Sequence, residues 1–442
     1  MIIRRSVREW EYLPVSADGS ETGLSRAEAD QLLLVAQAAQ STLNLGGEDV
    51  ESILVNGVSR IRAQQVVGIL VAPGVALEIL PKIDGLETDD RQTRVNLVRM
   101  LARTHNLSIA EGALTSLGRQ EHDLLEILIR IFATKLFVAV HRGLPRRYIG
   151  LEDDLGTLRG GLDVKRQFTI LAATPQKLAC RFEELSSDIP LNQLMKAAVL
   201  QLRAVSGSPE NQRRLRELAL AFADVRSVPL SQVVVQNVVL DRTNTDWHEL
   251  VRLAKLLLGR QFQTTSAGRI EGFSLLFEMN TLFEEFIGRT LQRRLAGTDL
   301  EVSLQGPRSH VLSEKDGGAF RFRTIPDIVI HRGGNPFLII DTKWKRLKGE
   351  LDDRKRGVGQ SDVYQMLAYG DVYNVARLML LYPHHDALGS HAGTLGEYRV
   401  IGNEARTLAV ASVSLLDLEV VADRLATLVA GALERSERSA AA

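Results

Sequence analysis

Cysteine is nearly absent: Cys180 is the only one in 442 residues. That excludes an intramolecular disulfide, a four-cysteine iron–sulfur cluster and a cysteine-rich zinc site. The scarcity fits a reducing compartment. Net charge is lacking too, because 54 Lys and Arg balance 54 Asp and Glu. Any contact with a polyanion must therefore be local. Long apolar runs are missing as well. The N-terminal MIIRRSVREWEY has no apolar core of signal-peptide length. LLEILIRIFATKLFVAV, from Leu124, is broken by Glu126, Arg130 and Lys135 and reads as a buried helix, not a membrane span. No GxxxxGK[ST] sequence occurs, so the chain has no P-loop and is not expected to hydrolyse GTP itself. These absences lead to the expectation of a soluble cytoplasmic protein with no membrane contact.

What is present is ordinary globular material, 45% hydrophobic and 24% charged. The length suits two or three domains. Residues 1–115 look mixed and β-rich. Ser25 and Glu28 form a capping box before a helix, and VVGILVA and VALEIL flank the Pro73-Gly74 turn as a hairpin. From 116 to 265 helices dominate, interrupted by the Gly- and Arg-rich stretch 141–164. From 266 to 435 the order changes to a long amphipathic helix (SLLFEMNTLFEEFIGRTLQRRL), three extended segments, a helix from about Ser361, and further strands. Residues 436–442 read as a frayed tail. The fold class expected is α+β and multidomain: a β-rich N-terminal domain, a helical middle, and a C-terminal domain with a central mixed sheet flanked by helices.

One stretch asks for an explanation. TIPDIVIHRGGNPFLIIDTKWK carries two apolar strands, yet the second ends in Asp341 and Lys343. Buried charges must be paired or hold a metal. With a five-residue loop at 332–336, Asp327 falls opposite Asp341, where facing Cβ atoms lie about 4.5–5.5 Å apart. A four-residue loop offsets them by one, and a bulge restores them. Two such carboxylates repel unless a cation lies between them. Lys343, two residues on, points to the same face as Asp341. Carboxylates with water suit magnesium or manganese, and a neighbouring lysine orients an attacking water and neutralises developing charge. This is a recipe for phosphodiester hydrolysis. Glu284 can supply a third oxygen, with Glu285 its rival if the helix phase differs. Gln365 and Tyr369, four apart, share a helix face.

These residues resemble the PD-(D/E)xK nuclease superfamily: PD at 326–327, D-x-K at 341–343, and Q-x-x-x-Y at 365–369 as in its RecB-like branch. FEMNTLFEEF, DTKWK and DVYQMLAYG, with LEILPKI, GLPRRY and LRGGLDV upstream, are similar to the McrC family of modification-dependent restriction systems. The resemblance implies a magnesium-dependent DNA endonuclease. Asp327, Asp341 and Glu284 would hold the metal, Lys343 would position the water, and Gln365 and Tyr369 would assist. It also implies a partner: a McrB-like AAA+ GTPase hexamer that binds GTP and reads modified cytosine in double-stranded DNA. A different class stays open, in which the chain is a non-cutting assembly and activation subunit of an NTPase ring.

Plainer readings stand beside these. Asp341 and Lys343 also suit a structural ion pair, Glu284 a solvated helix face, and Gln365 with Tyr369 helix packing. The basic segment 343–357 suits either phosphate contact or an exposed loop. Trp344 points away from Lys343 and reads as core. His384 and His385 point opposite ways on a strand and do not chelate one ion.

Overall fold

The computed structural model describes residues 2–16, 23–43, 52–109, 123–174, 176–229, 238–258, 272–315, 318–347 and 357–440. The chain divides into two compact units, Met1–Leu124 with Ile270–Ala442, and Leu125–Arg269. The basic segment expected to reach phosphates lies largely outside the described residues, at 348–356.

In the first unit, β1 (Ile3–Arg8), β2 (Tyr12–Ser16) and β3 (Leu24–Ser25) lead into α1 (Arg26–Leu43). The capping box forms as the spacing predicts. Ser25 Oγ accepts from the Glu28 amide at 3.3 Å, and Glu28 Oε2 accepts from the Ser25 amide at 2.7 Å. Strands β4 (Leu54–Asn56), β5 (Arg60–Ala63), β6 (Val66–Ala72) and β7 (Val75–Leu80) follow, then α2 (Asp90–Thr104). Every residue of β6 and β7 is buried. Burial on both faces is why these strands read as near-continuous apolar runs, broken by Glu78, which Arg94 Nη2 meets at 2.7 Å.

The second unit holds α3 (Leu124–Arg142), β8 (Arg147–Leu155), β9 (Gly161–Leu162), α4 (Val164–Thr169), β10 (Leu178–Ser186), α5 (Pro190–Val205), α6 (Pro209–Ala221) and α7 (Trp247–Leu258). The Gly- and Arg-rich interruption of the helices supplies β8 and β9, which pair antiparallel with β10. Glu126, which breaks the apolar run of α3, is buried but satisfied. It accepts from Ser206 Oγ, the amides of Gly207 and Ser208, and Asn211 Nδ2. No described helix is long and apolar enough to cross a membrane.

The first unit resumes with β11 (Phe273–Glu278) and α8 (Met279–Leu295). Here the structure corrects the expected single helix over 274–295. The SLLFE segment is a strand that pairs antiparallel with β6, about two hundred residues upstream, in a sheet of order β1-β7-β6-β11. Gly68 allows the close approach: a Cβ there would lie 1.9 Å from Leu275 O, and its φ is +133°. Next come β12 (Leu300–Leu304), β13 (Ser309–Ser313), β14 (Phe320–Thr324), β15 (Ile328–Arg332), β16 (Asn335–Thr342), α9 (Gln360–Val372), β17 (Arg377–Pro383), β18 (Thr394–Val400), β19 (Asn403–Val413) and α10 (Val421–Ala440). The helix α10 passes through 436–440, where the sequence suggests a frayed tail.

Six strands form one mixed sheet in the order β12-β15-β16-β17-β19-β18. The links β16–β17 and β17–β19 are parallel, and the rest are antiparallel. Its core includes Val329, Ile339, Met366, Leu378, Leu380 and Tyr382. The fold is thus mixed α+β with several sheets.

Candidate active site

The hairpin that carries the two aspartates turns more tightly than the spacing suggests. Arg332 pairs with Asn335, leaving a two-residue turn at Gly333-Gly334 with φ of 56° and 79°. Two successive positive φ values are what a type I′ hairpin turn requires, and glycine supplies them without steric cost. The tight turn alone would throw the aspartates out of step. A bulge between Ile330 and His331 corrects the register, so that Ile330 faces Leu338 and Ile328 faces Ile340. One step further brings Asp327 level with Asp341.

Asp341 is wholly buried. Its Oδ2 lies 2.8 Å from Lys343 Nζ, and its Oδ1 has no hydrogen-bond partner. Asp327 Oδ2 accepts from the Thr342 amide at 2.8 Å and from Thr342 Oγ1 at 3.0 Å. Glu284, one turn on from Asn280 along α8, faces Gln305, whose side chain favours its charged form. Glu284, Asp327, Gln305, Glu285, Arg289 and Leu304 line a cavity of about 90 Å³. Glu285, the rival for this role, pairs instead with Arg289 at 3.5 Å.

Electrostatics tie the three carboxylates together. Burial pushes Asp341 up to about 7, and the neighbouring charge of Asp327 adds to the rise. Desolvation, then the charge of Glu284, pushes Asp327 to about 7. Burial and Asp341 do the same to Glu284, also to about 7. Burial opposes the charge on Lys343, but Asp341 outweighs it and the ammonium is held above its ordinary range. Carboxylates that resist ionisation beside an ammonium held charged are what a protein shows when several acids share one dry site.

Helix α9 braces the lysine. Lys343 Nζ donates to Gln365 Oε1 at 3.2 Å, Gln365 Nε2 donates to Tyr369 Oη at 2.7 Å, and Tyr369 Oη donates to Ile325 O at 3.1 Å. Burial holds the Tyr369 phenol well above its usual range, so it stays a neutral donor. Trp344 packs edge-on against Phe283, and its Nε1 donates to Glu9 Oε1 at 2.8 Å, away from the carboxylates. His384 and His385 diverge: one bonds Ser412 Oγ and Gly389 O, the other Leu347 O.

The structure therefore brings Asp327, Asp341, Lys343 and Glu284 into mutual influence, with Gln365 and Tyr369 behind the lysine. Two further participants carry no sequence signal of their own. Thr342 is the variable position of D-x-K, and Gln305 reaches Glu284 from a loop. Among the described residues, no group of three His, Cys, Asp or Glu side chains stands ready-made to hold a metal ion. The donor chemistry nonetheless fits a hard divalent cation: three repelling carboxylates, one with a buried unpartnered oxygen.

The family model described as McrBC 5-methylcytosine restriction system component matches residues 61–383. A chain of a half-complex from the tetradecameric assembly of Thermococcus gammatolerans McrB AAA+ hexamers with bound McrC is 22% identical. It covers 97% of this chain and 99% of its own, with a TM-score of 0.74. A chain of the Thermococcus gammatolerans McrBC complex is 26% identical, covering 66% of this chain and 88% of its own, with a TM-score of 0.55. A comparison with curated proteins finds no match.

Proposed function

The chain belongs to the McrBC 5-methylcytosine restriction system component family, and from that premise we propose that it is the DNA-cutting subunit of its system, a metal-dependent endonuclease of PD-(D/E)xK type. The observation that supports this most is the cluster itself: three carboxylates, all raised to about 7, against one raised ammonium. A structural ion pair would need one acid for one base. Three acids outnumber the one ammonium, Lys343, that sits among them.

Asp341, Asp327 and Glu284 would hold a magnesium or manganese ion. When bound, such an ion lowers the pKa of its water and stabilises charge on phosphate oxygens. The chain's own groups do the rest. Thr342 fixes Asp327 through two hydrogen bonds, so the carboxylate keeps one oxygen free to turn into the site. Lys343 keeps its proton, held between Asp341 and Gln365, and presents positive charge where the pentacovalent phosphate becomes more negative. Gln365 and Tyr369 are positioning residues: they fix the ammonium through a chain of hydrogen bonds to the Ile325 carbonyl.

The same reading includes a partner. The chain docks on an AAA+ GTPase ring and cuts double-stranded DNA carrying modified cytosine when that ring is engaged. Its support is family membership and the likeness to a chain from McrB AAA+ hexamers with bound McrC. Cleavage of methylated duplex by the assembled complex tests the reading. Asp341→Ala and Lys343→Ala should abolish cutting while GTP turnover of the ring persists. Undiminished cutting by both variants would remove the assignment and leave the docking role alone.

A further inference from the structure

One exposed element near the carboxylates has no part in the chemistry above. Among the described residues, strands β13 and β14 pair only with each other, in register Ser309↔Thr324, His310↔Arg323, Leu312↔Arg321 and Ser313↔Phe320. This ribbon is unusually apolar for a surface. Phe320 is 70% exposed, Phe322 71% and Leu312 54%, and Val311 is exposed too. Scattered exposed apolar residues need no explanation, but several on one short ribbon do. Arginines alternate with the aromatics. Arg321 is tied to Glu314 at 2.8 Å. Arg308 and Arg323, both exposed, have no ion-pair partner among the described residues.

Phe322 also sits at φ +55°. A left-handed backbone is uncommon for a bulky aromatic and is kept where the surroundings enforce it. The base of the ribbon is held by one tyrosine. Tyr373 Oη, one turn beyond Tyr369 on α9, lies 2.7 Å from Pro307 O, 2.9 Å from Thr324 O and 2.9 Å from Thr324 Oγ1. Both feet then stand on the segment that carries the candidate site. The Gln305 amide donates to Asp327 O at 2.8 Å, and the Gly306 amide donates to Pro326 O at 3.2 Å. The Gln305 side chain meets Glu284. The ribbon is thus rooted beside the candidate site.

We propose that the β13–β14 ribbon is a wedge that grips duplex DNA beside the phosphate being cut, with Phe320 and Phe322 against the bases and Arg308 and Arg323 on phosphates. The proposal rests on the nuclease reading above and names how that site holds its substrate. A two-stranded ribbon fits a DNA groove, apolar side chains can enter between base steps, and arginines supply the backbone contact. The surplus cations beside the aromatics favour a polyanion over an apolar protein face.

The test uses the full chain carrying Asp341→Ala, so that nothing is cut, assembled with its AAA+ partner in magnesium and GTP on a fluorescent duplex. Arg308→Ala with Arg323→Ala should flatten the dependence of log K on log salt by about 2, at about 0.9 per lost phosphate contact. Phe320→Ala with Phe322→Ala should weaken binding about tenfold or more with the salt slope unchanged. It should also erase the brightening of a 2-aminopurine placed in the duplex, which reports unstacking. Phe322→Gly separates binding from folding. It should melt at a higher temperature than the parent, since the strained residue is relieved, yet bind DNA as poorly as the alanine variant.

Equal affinity, equal salt slope and equal brightening in all variants would overturn the proposal. If Lys343→Ala then still stops cutting, the nuclease reading stands and the ribbon serves a protein contact. If the parent complex neither binds nor cuts methylated duplex, the nuclease reading fails and this proposal fails with it.

Discussion

Replacing Asp341 by asparagine should make the metal-free protein more stable at alkaline pH, although it removes an ion pair. Asp341 is wholly buried, and burial with Asp327 nearby raises its carboxyl from 3.8 to about 7. At about 1.4 kcal/mol per pH unit, that rise amounts to a ceiling of about 4 kcal/mol. The sign follows from proton counting. Between pH 4 and 7 the folded protein binds a proton that the unfolded chain has released, so stability falls as pH rises through this window. Below pH 4 both states are protonated, and the variant should match the parent. By pH 8 the parent carries the full repulsion and the variant does not. Asparagine loses the 2.8 Å contact with Lys343, which offsets part of the gain. The net rise in melting temperature at pH 8 should therefore lie between about 2 and 8 °C, at about 2 °C per kcal/mol for a unit of this size. Thermal melts of both proteins at pH 4, 6 and 8, with chelator present, read this directly. A gap that does not change with pH, or a variant less stable at pH 8, would refute the reasoning.

Other outcomes follow from the same geometry. Tyr369→Phe removes the hydroxyl that joins Gln365 to Ile325 O. It should slow DNA cleavage by about 2- to 10-fold, the worth of one ordinary hydrogen bond, with GTP turnover of the ring unchanged. Gly68→Ala places a Cβ 1.9 Å from Leu275 O at a φ of +133°. It should lower stability by about 3 kcal/mol or more, because β6 and β11 cannot both keep their places. A urea melt followed by circular dichroism would show it.

How legible the site was depended on whether its parts are close in sequence. PD lies just before β15, D-x-K runs off the end of β16, and Q-x-x-x-Y lies within α9, so each motif is local and alternation or helical spacing indicates which face each residue takes. The hairpin register was half legible. The expected loop was too long, but the tight Gly333-Gly334 turn and the bulge at Ile330 together give the pairing a longer loop would have produced. The Leu275 to Phe277 segment was misassigned because its apolar residues fit a helical period as well as a strand. What decides is pairing with Val67 to Val71, and no local pattern encodes a partner about two hundred residues away. Thr342 and Gln305 escaped for a related reason: their roles come from the hydrogen bonds they make to Asp327 and Glu284, not from residue type. The Gly- and Arg-rich segment near 150 reads as a break between helices, yet it forms β8, because β10 offers it a complete antiparallel partner.

The claim on which the account stands is that Asp327, Asp341 and Glu284 share one divalent cation. Calorimetric titration of Mn²⁺ into the full chain at pH 8 measures it without need of activity. The account predicts one ion per chain, release of protons that grows as the pH is lowered toward 7, and loss of the site in Asp341→Asn. Absence of binding heat, or equal binding by parent and variant, would contradict it.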